Sequence, residues 1–231
     1  MPFFVDYWYL ILVLPMVILS GVAQVMVQST FKKYSQIGTR SGLSGRGASE
    51  LIQSRSGISV PVEAVQGSLT DHYDPRANVI RLSEPVYAQN SISAIGVAAH
   101  ETGHALQYAK GYMPIKVRSA IIPVTRFAST LSPYLVIAGL VFSSLAILAY
   151  IGVAFFAVSV LFQLLTLPVE FNASARAIRA LDEGGMMTQE ELAGAKKVLT
   201  AAAMTYVAAL FLSLMSLLRL MILVLGRRGN D

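Results

Sequence analysis

The chain lacks cysteine and has few histidines and few charged residues. Of its 231 residues, none is cysteine and three are histidine. The absence of cysteine excludes disulfides and thiolate ligands, so any bound metal must use histidine or carboxylate side chains. Charged residues make up 13% of the chain, whereas soluble domains usually contain about 25%. With 55% hydrophobic residues and a mean hydropathy of +0.59, the composition indicates a membrane protein.

Basic residues outnumber acidic ones, but they do not indicate a nucleic-acid partner. The net charge is +5, and the Lys and Arg residues flank apolar stretches, where they face the headgroups of a lipid bilayer. Residues 7–28 carry no charge and are long enough to span a bilayer. Because they lack a basic n-region and the apolar run is long, an uncleaved signal anchor is favoured over a cleaved signal peptide.

The hydropathy pattern predicts a mainly α-helical, multi-span membrane protein with about four transmembrane helices and a small α+β portion. Residues 131–171 are too long for one span and are expected to form a hairpin that turns near residues 150–152. The predicted division is a signal-anchor helix (1–30), a cytoplasmic portion (31–118), an interfacial helix with the transmembrane hairpin (119–169), a charged segment with a candidate metal ligand (170–200), and a last transmembrane helix with the tail (201–231).

The cytoplasmic portion is expected to contain a short β-hairpin. Residues 58–65 are rich in β-branched side chains, and Pro61 restricts them to an edge strand. A polar turn follows at residues 68–76, and residues 79–83 are predicted to form the next strand. The edge of such a ribbon is able to hold an extended peptide by strand addition.

The motif His-Glu-x-x-His begins at His100 and contains two of the three histidines. Residues four apart share one helix face, so His100 and His104 can bind the same ion while Glu101 lies beside it. Such a pair suits Zn²⁺, and the carboxylate can take a proton from a zinc-bound water. The alternative is a chance match on an ordinary helix. An N-cap at Asn90 or Ser91, followed by apolar residues, instead indicates a tightly packed helix.

A catalytic zinc site has three protein ligands and one open position. Without cysteine, the third ligand must be His72 or a carboxylate. Glu170 is the most conspicuous carboxylate because it stands where the predicted hairpin leaves the membrane, and ionisable groups at such places are costly and usually functional. The alternative is that Glu170 pairs with Arg176 or faces the lipid headgroups.

Three motifs in order along the chain resemble one family. HETGH, the preceding LTDHYDPRANVIRLS and the later PVEFNASARA are similar to the YugP-like neutral zinc metallopeptidases, which are integral membrane proteins of bacteria. The chain is more distantly similar to the gluzincin membrane proteases, in which a Glu from an ExxAD-like motif joins HExxH. Residues 170–173 match the first part of that motif, but Ser174 stands where those proteases have Asp. Asn172, Ser174, Asp71 or Asp74 is therefore left to orient the histidines.

The resemblance covers nearly the whole chain and implies a metallopeptidase-like portion in which His100, His104 and Glu170 hold Zn²⁺. It also implies that Glu101 is the general base, which takes a proton from a polarised water and passes it to the leaving amine.

The implied reaction also needs a hydrogen-bond donor for the tetrahedral oxyanion. His72, Tyr73 and Arg176 are the candidates for this role. A structural role is equally open for His72, because Asp71 and Asp74 are able to close the turn that contains it.

Two other functions stay open. An intramembrane protease of the site-2 type combines HExxH with an LDG-type Asp, which Asp182 superficially matches although it lies in a charged segment. A non-catalytic membrane scaffold with a structural zinc would need four ligands, and His72 would have to be the fourth. The intact Glu101 favours catalysis. The expected function is therefore a membrane-bound zinc metalloendopeptidase that acts on protein or peptide substrates near the bilayer.

The distribution of basic residues predicts the orientation. Residues 32–126 hold eleven Lys and Arg residues, whereas residues 1–6 and the predicted turn hold none. The positive-inside rule therefore places the HExxH helix on the cytoplasmic side of a multi-pass protein, which the resemblance assigns to a bacterial plasma membrane. If the last helix spans too, Arg227 and Arg228 lie outside, against that rule. The small residues within 139–149 favour close helix packing, within one chain or between chains of an oligomer.

Overall fold

The computed structural model describes residues 5–226 and has the predicted mainly α-helical fold with a small β portion. A π-helical turn at Tyr9–Val13 leads into the first helix, and a 3-10 turn at Ser143–Leu145 precedes the sixth. The helices are α1 Leu14–Ser35, α2 Gly45–Ser56, α3 Glu84–Tyr87, α4 Ile92–Ala109, α5 Met113–Val141, α6 Ala146–Glu183 and α7 Gln189–Gly226, and the strands are β1 Val62–Val65, β2 His72–Asp74 and β3 Val79–Ser83.

Four helical segments are long and apolar enough to cross a membrane, as the hydropathy pattern predicts. They are Tyr9–Ser35, Met113–Val141, Ser143–Glu183 and Gln189–Gly226. The length and composition of these helices identify a membrane protein. The expectation that Arg227 and Arg228 lie on the outer side of the membrane if the last helix spans concerns positions outside the described residues.

The described residues form two compact units. The first contains the residues up to Ala23, Val117–Leu167 and the residues from Thr205 onward, and the second contains Gln24–Lys116 and Pro168–Met204. The first unit is made of parts of α1, α5, α6 and α7, and the second carries the whole sheet, α2, α3, α4 and the HExxH motif.

In the first unit, the turn of the hairpin lies at Ser143–Leu145, and the prediction of a turn near residues 150–152 is wrong. Gly152 serves helix packing instead, since a Cβ there would lie 2.7 Å from Cγ2 of Val136 on α5. A Cβ on Gly139 would overlap the backbone nitrogen of Ala149 on α6. The segment predicted as an interfacial helix forms the first part of the continuous helix α5.

An ion pair explains the one charged residue in the apolar part of α7. The guanidinium of Arg219 donates to Asp6 over an Nη2–Oδ2 distance of 2.8 Å and lies 5.4 Å from the ring centre of Tyr9. Both side chains of the pair are largely buried. A charged group among apolar helices is tolerated when a partner of opposite charge neutralises it.

The sheet of the second unit has the order β1-β3-β2. The sheet contains a short β-hairpin, but its strands are β2 and β3, which pair antiparallel with Tyr73 opposite Ile80. The prediction that residues 58–65 and 79–83 are the two strands of the hairpin is wrong, because β1 pairs in parallel with β3. Pro61 directly precedes β1, which lies at an edge, as predicted. The segment predicted as a polar turn at residues 68–76 contains β2. Three of its residues, His72–Asp74, adopt an extended conformation because they pair with the apolar strand β3.

Helix α4 lies at the centre of the second unit and is buried on two sides. On one side Ile95 and Ala99 belong to a core with residues of α2, α6 and α7, including Leu181. On the other side Ala98 and Ala105 pack with the apolar side chains of β3. Burial on both sides fixes the rotation of α4 and therefore the direction in which its polar residues point.

We expect Gly139→Ala to destabilise the first unit, because the added methyl group has no space between α5 and α6. The matched control is Gly21→Ala, on a helical glycine of the same unit with no neighbour within 4 Å of the added Cβ. Overpacking of this kind costs about 1–3 kcal/mol. Thermal unfolding in detergent should show a lower midpoint for Gly139→Ala and an unchanged or higher one for Gly21→Ala. Equal midpoints would contradict the packing described above.

Candidate metal centre

The HExxH motif lies on α4, whose first turn is capped by Ser91. The Ser91 hydroxyl accepts a hydrogen bond from the backbone N–H of Ala94 at 3.1 Å. Ser91 is therefore the N-cap, one of the two residues predicted for this role. Asn90 instead holds the loop before α2, since its side-chain oxygen accepts from the backbone N–H of Thr39. The cap and the apolar residues that follow it start a regular helix that carries the motif in its middle.

Helix α6 approaches α4 closely at Gly103. A Cβ on Gly103 would lie 2.6 Å from the carbonyl oxygen of Ala173. Glycine is therefore needed here, because any side chain would push the two backbones apart. This contact places Glu170, one turn before Ala173, opposite the histidines of α4.

The structure brings His100, His104 and Glu170 together. The Nε2 atoms of His100 and His104 lie 3.4 and 3.5 Å from the same oxygen, Oε2 of Glu170. Glu170 is 2% exposed and His104 8% exposed, so the site is shielded from solvent. Among residues 5–226 this is the one group of three His, Asp or Glu residues whose ligand atoms are close enough to share a metal ion.

The distances fit a shared metal better than direct hydrogen bonds. Zinc binds histidine nitrogen and carboxylate oxygen at about 2.0–2.2 Å in a tetrahedron, so two ligand atoms lie about 3.3–3.6 Å apart. Both observed distances fall in this range. A direct N–H···O hydrogen bond would usually be about 2.7–3.2 Å long.

Gln107 fixes the ring of His104 in the form that binds a metal. Its Nε2 donates to the carbonyl oxygen of Val169 at 2.8 Å and to Oδ1 of Asn172 at 3.0 Å. Its Oε1 therefore faces His104, whose Nδ1 lies 3.0 Å away and must donate the proton. The Nε2 lone pair of His104 is left free to face Glu170.

Ser174 takes the equivalent place beside His100. Its hydroxyl lies 3.1 Å from Nδ1 of the ring. A hydroxyl oxygen can accept a hydrogen bond from Nδ1–H as a carboxylate would, although the hydroxyl carries no charge. Ser174 stands where the gluzincin resemblance expects Asp, so the position keeps its contact with the histidine and loses the negative charge.

Asp71 and Asp74, the other predicted partners of the histidines, have bonding partners within the sheet. Asp71 accepts hydrogen bonds from the backbone and hydroxyl of Ser83, and burial raises the pKa of its carboxyl above the ordinary value. Asp74 accepts from Arg81 at 2.7 Å, and this bond lowers the pKa of Asp74. These bonds stabilise the hairpin that lies beside α4.

Glu101 is buried and accepts a hydrogen bond from the sheet. Its Oε2 accepts a hydrogen bond of 2.9 Å from the backbone N–H of Tyr73 on β2. The exposed fraction of Glu101 is 8%. A backbone donor aimed at a carboxylate fixes the direction of the side chain.

His72 and Arg176, two of the predicted oxyanion donors, are not part of the group formed by His100, His104 and Glu170. His72 is exposed on β2, and its Nδ1 lies 2.8 Å from the carbonyl oxygen of Thr70. Arg176 donates from Nε to Oδ1 of Asn172 at 2.7 Å, which connects it through Gln107 to His104. 

Gln107 was not predicted from the sequence. Its signal is its position three residues after His104, which places it on the same helix face. A glutamine is common on helices and carries no metal-ligand chemistry, so only the contacts of α6 reveal its role.

Comparisons with known proteins identify the family of the chain. A family model described as "Putative neutral zinc metallopeptidase" matches residues 9–225. The chain is 47% identical over 214 residues to a Bacillus subtilis (strain 168) protein named "Putative membrane protease YugP", covering 92% of this chain and 95% of that protein. No solved structure matches the chain. Since the family model covers residues 9–225, the chain belongs to the family described as "Putative neutral zinc metallopeptidase".

Proposed function

We propose that this protein is a membrane-bound zinc metalloendopeptidase that hydrolyses peptide bonds of proteins or peptides near the membrane surface. The observation that carries the proposal is the convergence of His100, His104 and Glu170 beside the oriented carboxylate of Glu101. Two imidazoles and one carboxylate are the ligand set of a catalytic zinc site, which leaves a position open for water.

His100, His104 and Glu170 would hold the zinc ion, through the two Nε2 atoms and the carboxylate. Bound zinc lowers the pKa of a coordinated water and polarises a carbonyl group. The donor set supports zinc, because imidazole and carboxylate at these separations match its tetrahedral geometry.

Glu101 is proposed as the general base and acid. Its carboxylate takes a proton from the attacking water as the water oxygen bonds to the scissile carbonyl carbon. It then gives this proton to the amide nitrogen as the C–N bond breaks, so that a carboxylic acid and an amine leave. The bond from the Tyr73 N–H leaves the second oxygen of Glu101 for this transfer.

His72 and Arg176 are the proposed donors to the oxyanion of the tetrahedral intermediate. His72 lies on β2 next to Tyr73, which binds Glu101. Arg176 lies on α6, six residues after Glu170, and uses Nε for Asn172. Strand β2 is an edge of the sheet. It is therefore our candidate for holding an extended substrate by strand addition.

We place the site on the cytoplasmic side of a bacterial plasma membrane, in a multi-pass protein. Support comes from the four helices long and apolar enough to span. It also comes from the eleven Lys and Arg residues at positions 32–126, six of which lie in the connection between the first two of these helices. Glu170 follows directly on the apolar stretch of α6, which favours substrates close to the bilayer.

The two alternative functions have less support. An intramembrane protease of the site-2 type would use Asp182, but Asp182 is exposed and accepts a hydrogen bond from Gln189 at 3.0 Å. A scaffold with a structural zinc would need a fourth ligand. Within the described residues the group contains three, and His72 is bonded to Thr70 instead.

The metal content of purified variants tests the proposed site. We expect about one zinc per chain in the wild type and in Glu101→Gln, and none in Glu170→Ala, because Glu170 is a proposed zinc ligand and Glu101 is not. The matched control is Asp182→Ala, which should keep its zinc. Elemental analysis of the full-length protein after controlled metal addition gives the result.

Retention of zinc in Glu170→Ala, or its loss in Asp182→Ala, would mean that the third ligand is misassigned. A wild type without zinc would exclude the metallopeptidase proposal.

Peptide hydrolysis by the same proteins tests catalysis separately from metal binding. Loss of a general base usually lowers the rate by about 10²–10⁴-fold. We expect Glu101→Gln to lose activity to this extent towards unfolded protein substrates in proteoliposomes while it keeps its zinc. A zinc-loaded Glu101→Gln protein as active as wild type would contradict the assigned base and favour the scaffold alternative.

Gln107→Leu tests the orientation of His104. Removal of a group that orients a metal ligand typically lowers metal affinity about 10–100-fold, and we expect a decrease in this range. Gln53→Leu is the matched control, since Gln53 is also a buried glutamine of the second unit but donates to Ser49. Competition with a chelator measures both affinities. Equal affinities for the two variants would show that Gln107 does not orient the ligand.

A further inference from the structure

A cavity of about 600 Å³ lies in the second unit, between the end of α1 and the beginning of α7. Its size is within the range of about 300–1,000 Å³ that is usual for ligand pockets. Three lysines line it together with hydroxyl-bearing and small apolar residues: Met26, Thr30, Lys33, Tyr34, Ala193, Lys196, Lys197, Thr200 and Ala201. No described residue that lines it is acidic, so its wall has a charge of +3.

Within residues 5–226, the lysines of this basic cavity have no carboxylate within salt-bridge distance. In the part of the chain from 5 to 226, no Asp or Glu oxygen lies within 4.0 Å of the ammonium groups of Lys33, Lys196 and Lys197. All three side chains are exposed. Lys33 lies over the ring of Tyr34, with 5.6 Å between its Nζ and the ring centre.

The two helices that form the cavity are in close contact. The ring of Tyr34 on α1 packs against Gly194 on α7, where an added Cβ would lie 2.8 Å from Cε1 of the ring. Such contact requires the glycine and brings the lysines of the two helices to one place.

The cavity lies where both helices change from charged to apolar sequence. Lys33 is in the last turn of α1, after an uncharged stretch that includes Met26 and Thr30. Lys196 and Lys197 precede the apolar part of α7, which begins near Ala201. In a membrane protein this transition occurs at the level of the lipid headgroups.

We propose that the basic cavity binds the headgroup of an anionic phospholipid. The phosphodiester would be recognised by the three ammonium groups and the hydroxyls of Thr30 and Thr200, and the glycerol end would meet the apolar residues Met26 and Ala201. Basic pockets between membrane helices recognise anionic headgroups in this way. A free phosphate carries the same negative charge but has no apolar part to contact Met26 and Ala201, so we propose the lipid as the ligand. The site is independent of the peptidase chemistry.

Titration of the full-length protein in non-ionic detergent tests the site. The probes are dioctanoyl phosphatidylglycerol, dioctanoyl phosphatidylcholine and inorganic phosphate, with binding measured by calorimetry. The variant carries Lys33→Gln, Lys196→Gln and Lys197→Gln. The control carries Lys32→Gln, Lys110→Gln and Lys116→Gln, which removes the same charge from exposed lysines outside the cavity.

We expect one phosphatidylglycerol per wild-type chain, with phosphatidylcholine and phosphate binding at least tenfold more weakly. The cavity variant should lose affinity about 100-fold, on the basis of the usual contribution of a lysine near anionic lipid, and the control should bind as wild type does. Absence of saturable binding, equal binding of phosphate or phosphatidylcholine, or an equal loss in the control would each overturn the proposal. The wild-type lipid comparison decides the question even if the triple variant does not fold.

Discussion

The candidate metal centre depends on the contact between the backbones of α4 and α6 at Gly103. At this point the carbonyl oxygen of Ala173 occupies the space that a side chain would need. Because both helices are also buried in the core of the second unit, neither can shift to accept a larger residue without loss of packing. The contact therefore sets the separation of Glu170 from the two histidines, and with it the size of ion that fits between them.

The same contact brings a buried polar network into order. Gln107 is fully buried, so each of its polar atoms needs a partner. Its amide has these partners on α6 and on His104, and Arg176 extends the network along α6 through Asn172. A fully bonded network of this kind gives the site one defined arrangement, because any other rotation of the histidine leaves a buried group unpaired. The hydrogen bond from β2 to Glu101 adds the sheet to the same system.

The sequence predicted those features that depend on local spacing. The pair His100 and His104 follows from helical periodicity, and Glu170 stood out as a lone charge after an apolar run. Gln107 was missed, because its role arises only from contacts across 62 residues of sequence with Val169. The hairpin turn was predicted too late in the sequence for a related reason. Glycine occurs both in turns and where two helices pack closely, and the sequence does not reveal that Gly152 serves packing.

X-ray absorption at the zinc edge of the loaded wild-type protein tests the central claim most directly. The account predicts four nitrogen or oxygen neighbours at about 2.0–2.2 Å, with outer-shell scattering from two imidazole rings. The remaining two neighbours would be one carboxylate oxygen and one exchangeable oxygen. Scattering from fewer than two imidazoles, or a shell of six oxygen neighbours, would contradict a site built from His100, His104 and Glu170.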